Sequence, residues 1–582
     1  MKKKIVTVIL AITLSISMVA CGAKDAGADN QTVTEKDGSS QTAGSSQEGN
    51  SGGSNFIKDF LEGMTIQKDA QPASGMDSEP EGLESCDAMD AFDVNAITGS
   101  YYVQSKGEIA PIEWNTEEYD YVPENGWMSA KTSPFSTFAA DVDTASYANL
   151  RRMLTRNQDV PASAVRLEEM INYFHYDYAQ PKDGEPFSVT TEMAPCPWNE
   201  NARLLMVGLA AKDLDLRERP NSNLVFLIDV SGSMEGEDRL GLVQRSFKLL
   251  CEELRPGDRI SIVTYATGDK IVMDGATGED QSKIREAIED LFAEGGTNGS
   301  AGIQTAYELA EKHFIEGGNN RVILATDGDL NIGVTDKGSL TELIKEKAKS
   351  GVYLSVLGFG WGNVSDARME ALADNGNGNY SYIDSIAEAR KVLIEEMGGT
   401  LFTVAKDVKL QVEFNPNVVK GYRLVGYENR TMAAEDFAND AKDGGEIGAG
   451  HQVTALYEVA LAGSAQEVPE VESRYGNAKN AGDAMLLTDE YLTVNVRYKE
   501  PDGDVSKLLS YPVTEKNYQE EMSENLSWAA GVAQAGMLLK KSEYAGTSEL
   551  KSVLKRMEEL KSATSDDYRK EFLYLFSRVV IE

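Results

Sequence analysis

Histidine, cysteine and basic charge are all scarce in this chain, and each shortage closes off a class of function. Three histidines and four cysteines stand among 582 residues, with no CxxC and no Cys/His cluster. A tetrahedral zinc site therefore has no ligand set to draw on. After Cys21 the remaining Cys86, Cys196 and Cys251 are odd in number and widely spaced. That is no disulfide framework, although an exported chain leaves a Cys86–Cys196 bridge open. Cys251 continues the apolar face of a predicted helix and reads as core. Lys and Arg number 56 against 94 Asp and Glu, a net charge of −38. Nucleic-acid phosphates need a basic footprint, so nucleic acid is excluded as a partner. A spanning helix needs roughly 20 apolar residues, and the run from Ile5 to Ala20 is shorter. What remains is globular: 41% hydrophobic and 26% charged residues, in a chain long enough for two to four domains. Most of the acidic surplus is accounted for by solubility of an exposed surface. The rest suits oxygen-rich sites for hard cations.

The short apolar run follows Lys2, Lys3 and Lys4 and ends at Met18-Val19-Ala20-Cys21. A basic stretch, an apolar stretch and a small residue make residues 1–20 a signal peptide. A Cys directly after a small residue resembles the lipobox of bacterial lipoproteins, with Met18 in place of the usual Leu. The resemblance implies that Cys21 takes a diacylglyceryl group and becomes the mature N-terminus. The chain is then expected at the extracytoplasmic face of the cell membrane, held by its lipid alone. Residues 22–54 are Gly, Ser, Gln, Asp and Ala with almost no large apolar side chain. Such a composition cannot bury enough surface to fold. Together with the ambiguous stretch after it, this gives an acidic flexible tether over 21–125.

Three further regions are expected. Residues 126–220 combine a helical pattern through Leu150, Met153 and Leu154, and another from Val165 to Ile171, with strands near Phe187 and Leu204. Residues 221–400 alternate short apolar runs with amphipathic helices. The runs are Leu224–Ile228, Ile260–Thr264, Val322–Ala325 and Tyr353–Leu357. The helices carry Leu240, Val243, Phe247, Leu250 and Leu254, then Ile303, Tyr307, Ala310 and Phe314, then Leu340, Leu343 and Ile344. This alternation predicts an α/β domain with a doubly wound, mostly parallel sheet. Residues 401–582 begin strand-rich, at Val408–Phe414 and Val453–Val459. They turn helical from about Ser527, with a last amphipathic helix over Tyr568–Val580.

Ligands of open α/β sheets bind at the carboxyl ends of the strands, and three features fall there. The strand ending at Ile228 runs into Asp229-Val-Ser231-Gly-Ser233. The loop Gly295-Gly-Thr297-Asn298 precedes the Ile303 helix. The strand ending at Ala325 continues into Thr326-Asp327-Gly328. Carboxylates and hydroxyls without a soft ligand favour Mg²⁺, Mn²⁺ or Ca²⁺. Gly232 between the two serines permits a tight turn. Few anionic ligands would leave the ion partly uncompensated and open to an external carboxylate. Taken alone, the DxSxS stretch also fits a Ser-capped helix start; Thr297 and Asp327 in register weigh against that.

Phe226-Leu-Ile-Asp229-Val-Ser231-Gly-Ser233-Met, with Thr297 and Asp327, resembles the metal-ion-dependent adhesion site of von Willebrand factor type A domains. The resemblance implies direct ligation by Ser231, Ser233 and Thr297, with Asp229 and Asp327 acting through water or hydrogen bonds. It implies a protein ligand offering Asp or Glu. Longer motifs extend the likeness from about Ser133 to the end. They include Asp141-Val-Asp-Thr-Ala-Ser-Tyr147, Arg166–Tyr173, Ala194–Trp198, Gly426–Arg430 and Gly445–His451. They are similar to bacterial lipoproteins carrying an N-terminal von Willebrand-associated region, the A domain and a C-terminal domain of unknown function.

Rival readings are weaker. Asp141-Val-Asp143-Thr144 is a poor match to aspartate phosphatases and better explained as a turn or helix cap. Ser233 lies in no GxSxG elbow, and His175, His313 and His451 sit in three different regions, so a hydrolase lacks its parts. Gly295–Gly302 is not followed by Lys-Ser/Thr and is no P-loop. Gly358-Phe-Gly360-Trp-Gly362 lacks the dinucleotide spacing and reads as a sharp loop at the end of the sheet. No enzymatic activity is expected. The alternative to adhesion is an envelope scaffold or assembly factor that clamps one dedicated partner.

Overall fold

The computed structural model describes residues 100–105, 108–113, 117 and 119–580, apart from 141–142, 183, 214–218, 298, 329–336, 363, 441, 443, 470–488 and 502. The signal peptide, Cys21, Cys86 and most of the expected tether lie outside the described residues.

The central domain is built on six strands, β1 (Ser222–Asp229), β2 (Arg259–Tyr265), β3 (Asp269–Thr277), β4 (Asn319–Thr326), β5 (Tyr353–Phe359) and β6 (Tyr380–Ile383). Their order across the sheet is β3-β2-β1-β4-β5-β6, parallel except for the edge strand β3. Five apolar residues in a row in β1 are what a strand covered on both faces requires. Phe226 and Ile228 point to one side, against α1 (Leu240–Glu252), where Phe247 stacks on Phe226 at 4.2 Å. Val225 and Leu227 point to the other, against Ile303, Ala306 and Tyr307 of α2 (Gly299–Lys312). The doubly wound α/β architecture is the one the alternation predicts. His313 stands just past the end of α2, its Nε2 2.6 Å from Asp274 Oδ1.

The flanks depart from the expected division. Strand Phe135–Ala139 pairs with Thr403–Phe414, and Arg203–Ala211 pairs with Gln452–Leu461. Two antiparallel sheets result, each taking strands from both 126–220 and 401–582. Phe138, Leu205, Val207 and Leu209 from the first segment interdigitate with Leu410, Val412, Phe414 and Val496 from the second. The central domain is thus spliced into one composite sandwich. Helices Ala145–Thr155, Leu167–Asn172, Glu524–Lys540 and Asp567–Phe576 cover the outer face of one sheet, around fully buried Trp528 and Phe572. The last helix stops at Phe576, short of the expected Val580, which is solvent-exposed. Cys196 and Cys251 are both buried free thiols.

The expected tether also ends earlier than residue 125. Residues 100–105 and 108–113 form an antiparallel pair of strands. Glu117 is buried against Arg152 at 3.0 Å, and Asn125 Nδ2 donates to Gly426 O at 2.7 Å. Composition could not show this, because a few polar contacts, not an apolar run, dock the segment.

Buried ion clusters join the sandwich to the central domain. The Arg151 guanidinium, 3% exposed, meets Asp384 at 2.5 Å, Glu388 at 2.8 Å and Glu571 at 3.3 Å, and donates to Tyr173 Oη at 2.7 Å. Arg166 pairs with Asp366 and Glu370 at 3.1 Å each, and Arg430 bridges Asp143 and Glu370 at 3.0 Å each. Asp143 also accepts from Tyr380 N, which places this residue of the Asp-Val-Asp-Thr motif in a structural joint beside the start of a helix.

Candidate metal site

Strand order reverses between β1 and β4, the kind of switch point at whose carboxyl edge open α/β sheets bind ligands. Asp229 is the last residue of β1 and is fully buried; Asp327, directly after β4, is 1% exposed. Asp229 Oδ1 accepts from Ser231 N at 2.9 Å. Its Oδ2 accepts from Tyr265 Oη at 3.0 Å and from Thr326 Oγ1 at 3.2 Å. These donors are neutral. Burial therefore pushes the Asp229 carboxyl up to about 6; the bond from Ser231 pulls against this and the charge of Asp327 adds to it.

Ser231 has extended backbone and is buried, and the single turn Gly232–Met234 brings the next hydroxyl back. Ser231 Oγ and Ser233 Oγ lie 3.0 Å apart. The third loop is stitched to this turn. Gly232 N donates to Gly295 O at 3.1 Å, Glu294 N to Val230 O at 2.7 Å, and Gly296 N to Thr267 Oγ1 at 3.0 Å. Gly295 has φ +80°, and a Cβ there would stand 2.7 Å from Thr267 Oγ1, so the approach needs glycine. Thr297 follows two residues later and is half-buried.

The structure thus brings Asp229, Ser231 and Ser233 into one hydrogen-bonded unit, sets Asp327 beside it, and carries Thr297 on a loop bound to the same turn. Among the described residues no three His, Cys, Asp or Glu side chains are grouped to hold a metal; the candidate set here is two carboxylates with hydroxyls. All its donors are oxygens, a set that suits a hard divalent cation rather than a soft one. The two serine hydroxyls hydrogen-bond each other. Sequence reasoning missed Tyr265 and Thr267 and gave Thr326 no role of its own; the three hold Asp229 and Gly296 in place. Tyr265 directly extends the apolar run of β2, and that position at a strand end was its only signal.

A family model described as von Willebrand factor type A domain matches residues 223–395. One described as von Willebrand factor matches 113–206, and one described as the C-terminal part of uncharacterized protein YfbK matches 399–580. The chain is 43% identical over 468 residues to uncharacterized protein YfbK of Escherichia coli, covering 79% of this chain and 80% of that protein. It is 34% identical over 163 residues to human inter-alpha-trypsin inhibitor heavy chain H4, covering 26% of this chain and 17% of that protein. Among solved structures it is similar to a von Willebrand factor type A protein from Catenulispora acidiphila, at 15% identity and TM-score 0.38, over 70% of this chain and 91% of that one. The chain therefore belongs to the family of Escherichia coli YfbK, with a von Willebrand factor type A domain set between its two flanking segments.

Proposed function

We propose that this protein is a surface lipoprotein that binds a protein, or another carboxylate-bearing ligand, through a divalent cation held in its type A domain. Ser231, Ser233 and Thr297 would ligate Mg²⁺ (or Mn²⁺ or Ca²⁺), with Asp229 and Asp327 behind them, and an Asp or Glu of the partner would complete the shell. One observation carries this reading. Two carboxylates are buried at the switch point, Asp229 with only neutral donors upon it, beneath a pair of hydroxyls 3.0 Å apart. Burying charge is costly unless it is compensated, and a bound cation compensates it.

Cys21, if lipidated, would hold the chain to the membrane; no helix among the described residues is long and apolar enough to cross one. Calorimetric titration of the full chain with Mg²⁺ and Mn²⁺ tests the site. Asp229→Ala should lose the binding isotherm while keeping its far-UV dichroism. Equal affinity in that variant would reject the assignment.

A further inference from the structure

We propose that Arg156, on the flank that precedes the central domain, is a positioning residue for the candidate metal site. With Glu117 and Arg152 behind it, this flank clamps the loop that follows Ser233 together with the loop leaving the carboxyl end of β5, and so sets the affinity with which the cation is held. The inference rests on the metal reading above and names a control on that same site.

The first loop, Gly236–Arg239, continues directly from the turn that carries Ser233 and leads into α1. The second, Gly360–Gly362, leaves the carboxyl end of β5. They are tied to one another: Arg239 Nη2 donates to Trp361 O at 2.7 Å, and Gly360 N donates to Asp238 O at 3.1 Å. Gly360 has φ +75°, and a Cβ there would stand 2.6 Å from Arg239 Cγ. The loop therefore lies flat on the arginine stem.

Both loops are tied in turn to the flank. Arg156 Nη2 stands 3.3 Å from Asp238 Oδ2, and its guanidinium lies 4.8 Å from the Trp361 ring centroid. Gly362 N donates to Glu117 Oε1 at 2.9 Å, and the same carboxylate takes Arg152. Arg152 in turn lies over the ring of Tyr382, whose hydroxyl donates to Gly360 O. One arginine thus touches both loops at once, from a segment outside the type A domain.

The two halves of the clamp differ in burial, which separates positioning from folding. Glu117 and Arg152 are buried, and removing either leaves a charge without its partner. Arg156 and Asp238 are 33% and 37% exposed, and an ion pair that open adds little to stability. Its loss removes one of the ties on the segment that follows Ser233 while the sheet stays intact. A hard cation such as Mg²⁺ demands near-ideal ligand geometry, so this freedom is read out as weaker binding. Coupling of this kind is reciprocal: the bound cation also steadies the two loops against the flank.

The test is a calorimetric Mn²⁺ titration of the full chain, paired with thermal unfolding and amide exchange. Arg156→Ala should bind Mn²⁺ about five- to tenfold more weakly, within the usual range of such couplings, with its unfolding midpoint nearly unchanged. Trp361→Ala should do the same, and the double variant should be no weaker than either single one. Arg156→Lys keeps the charge opposite Asp238 and should recover part of the loss. Exchange at the Gly360 and Gly362 amides should accelerate in Arg156→Ala and slow in the wild type on adding Mn²⁺. Wild-type binding with unchanged affinity in Arg156→Ala and Trp361→Ala would overturn the clamp and leave the metal reading standing. A wild type that does not bind Mn²⁺ would overturn both.

Discussion

Raising the pH through neutrality should loosen the joint around Arg151, and Glu571→Gln should remove that effect. Three carboxylates, Asp384, Glu388 and Glu571, surround a single guanidinium, and all four side chains are at most 7% exposed. Burial pushes Glu571 from its ordinary 4.5 up to about 7, although Arg151 pulls it down. The folded protein then holds this proton more tightly than the unfolded chain does. The contribution to stability is complete below pH 4.5 and is lost as the pH rises through 7. The interval from 4.5 to about 7 corresponds to about 3 kcal/mol at most. Urea denaturation followed by far-UV dichroism, at pH 5, 6, 7 and 8, measures it. Glu169 is raised to about 8 and titrates over part of the same range, so the decisive quantity is the difference between the two proteins. Glu571→Gln should approach or exceed the wild type as the pH rises, by up to about 3 kcal/mol relative to pH 5. Parallel pH profiles would refute the claim that this buried carboxyl holds a proton at neutral pH.

Two more outcomes follow from the packing. Tyr265→Phe deletes a hydrogen bond to the Asp229 carboxylate and should cost about 1.5–3 kcal/mol; calorimetry should also show weaker Mn²⁺ binding, because Asp229 loses one of its anchors. A chain ending at Gly399 lacks the strands that pair with Phe135–Ala139 and Arg203–Ala211. It should be insoluble or show non-cooperative unfolding, and a cooperative transition would contradict the composite sandwich.

The sequence exposed some levels of this molecule and concealed others. Runs such as Leu224–Ile228 and the face Leu240, Val243, Phe247, Leu250 declare themselves, because a strand covered on both sides and a helix covered on one have fixed periods. The Asp229–Ser233 spacing was legible for a related reason: a loop leaving a buried strand must be short, so its residues fall at fixed positions. Pairing between distant strands was not legible. Nothing in Phe135–Ala139 or Thr403–Phe414 names its partner, yet Gln411 Nε2 donates to Thr137 Oγ1 from 274 residues away. Alternation reveals that a strand has a buried face, not which strand lies beside it. Glu117 was invisible for the opposite reason. A polar residue in an acidic, unpatterned stretch reads as solvated until Arg152 is found to cover it.

The proposed function requires one hard cation over Ser231, Ser233 and Thr297. Anomalous diffraction from crystals of the full chain soaked in Mn²⁺ locates it directly. A single strong peak is expected within about 2.5 Å of the two serine hydroxyls, a distance typical of oxygen ligands on a divalent ion. In Ser233→Ala that peak should vanish. A soak that leaves only water between those hydroxyls, or puts manganese elsewhere on the acidic surface, would contradict it.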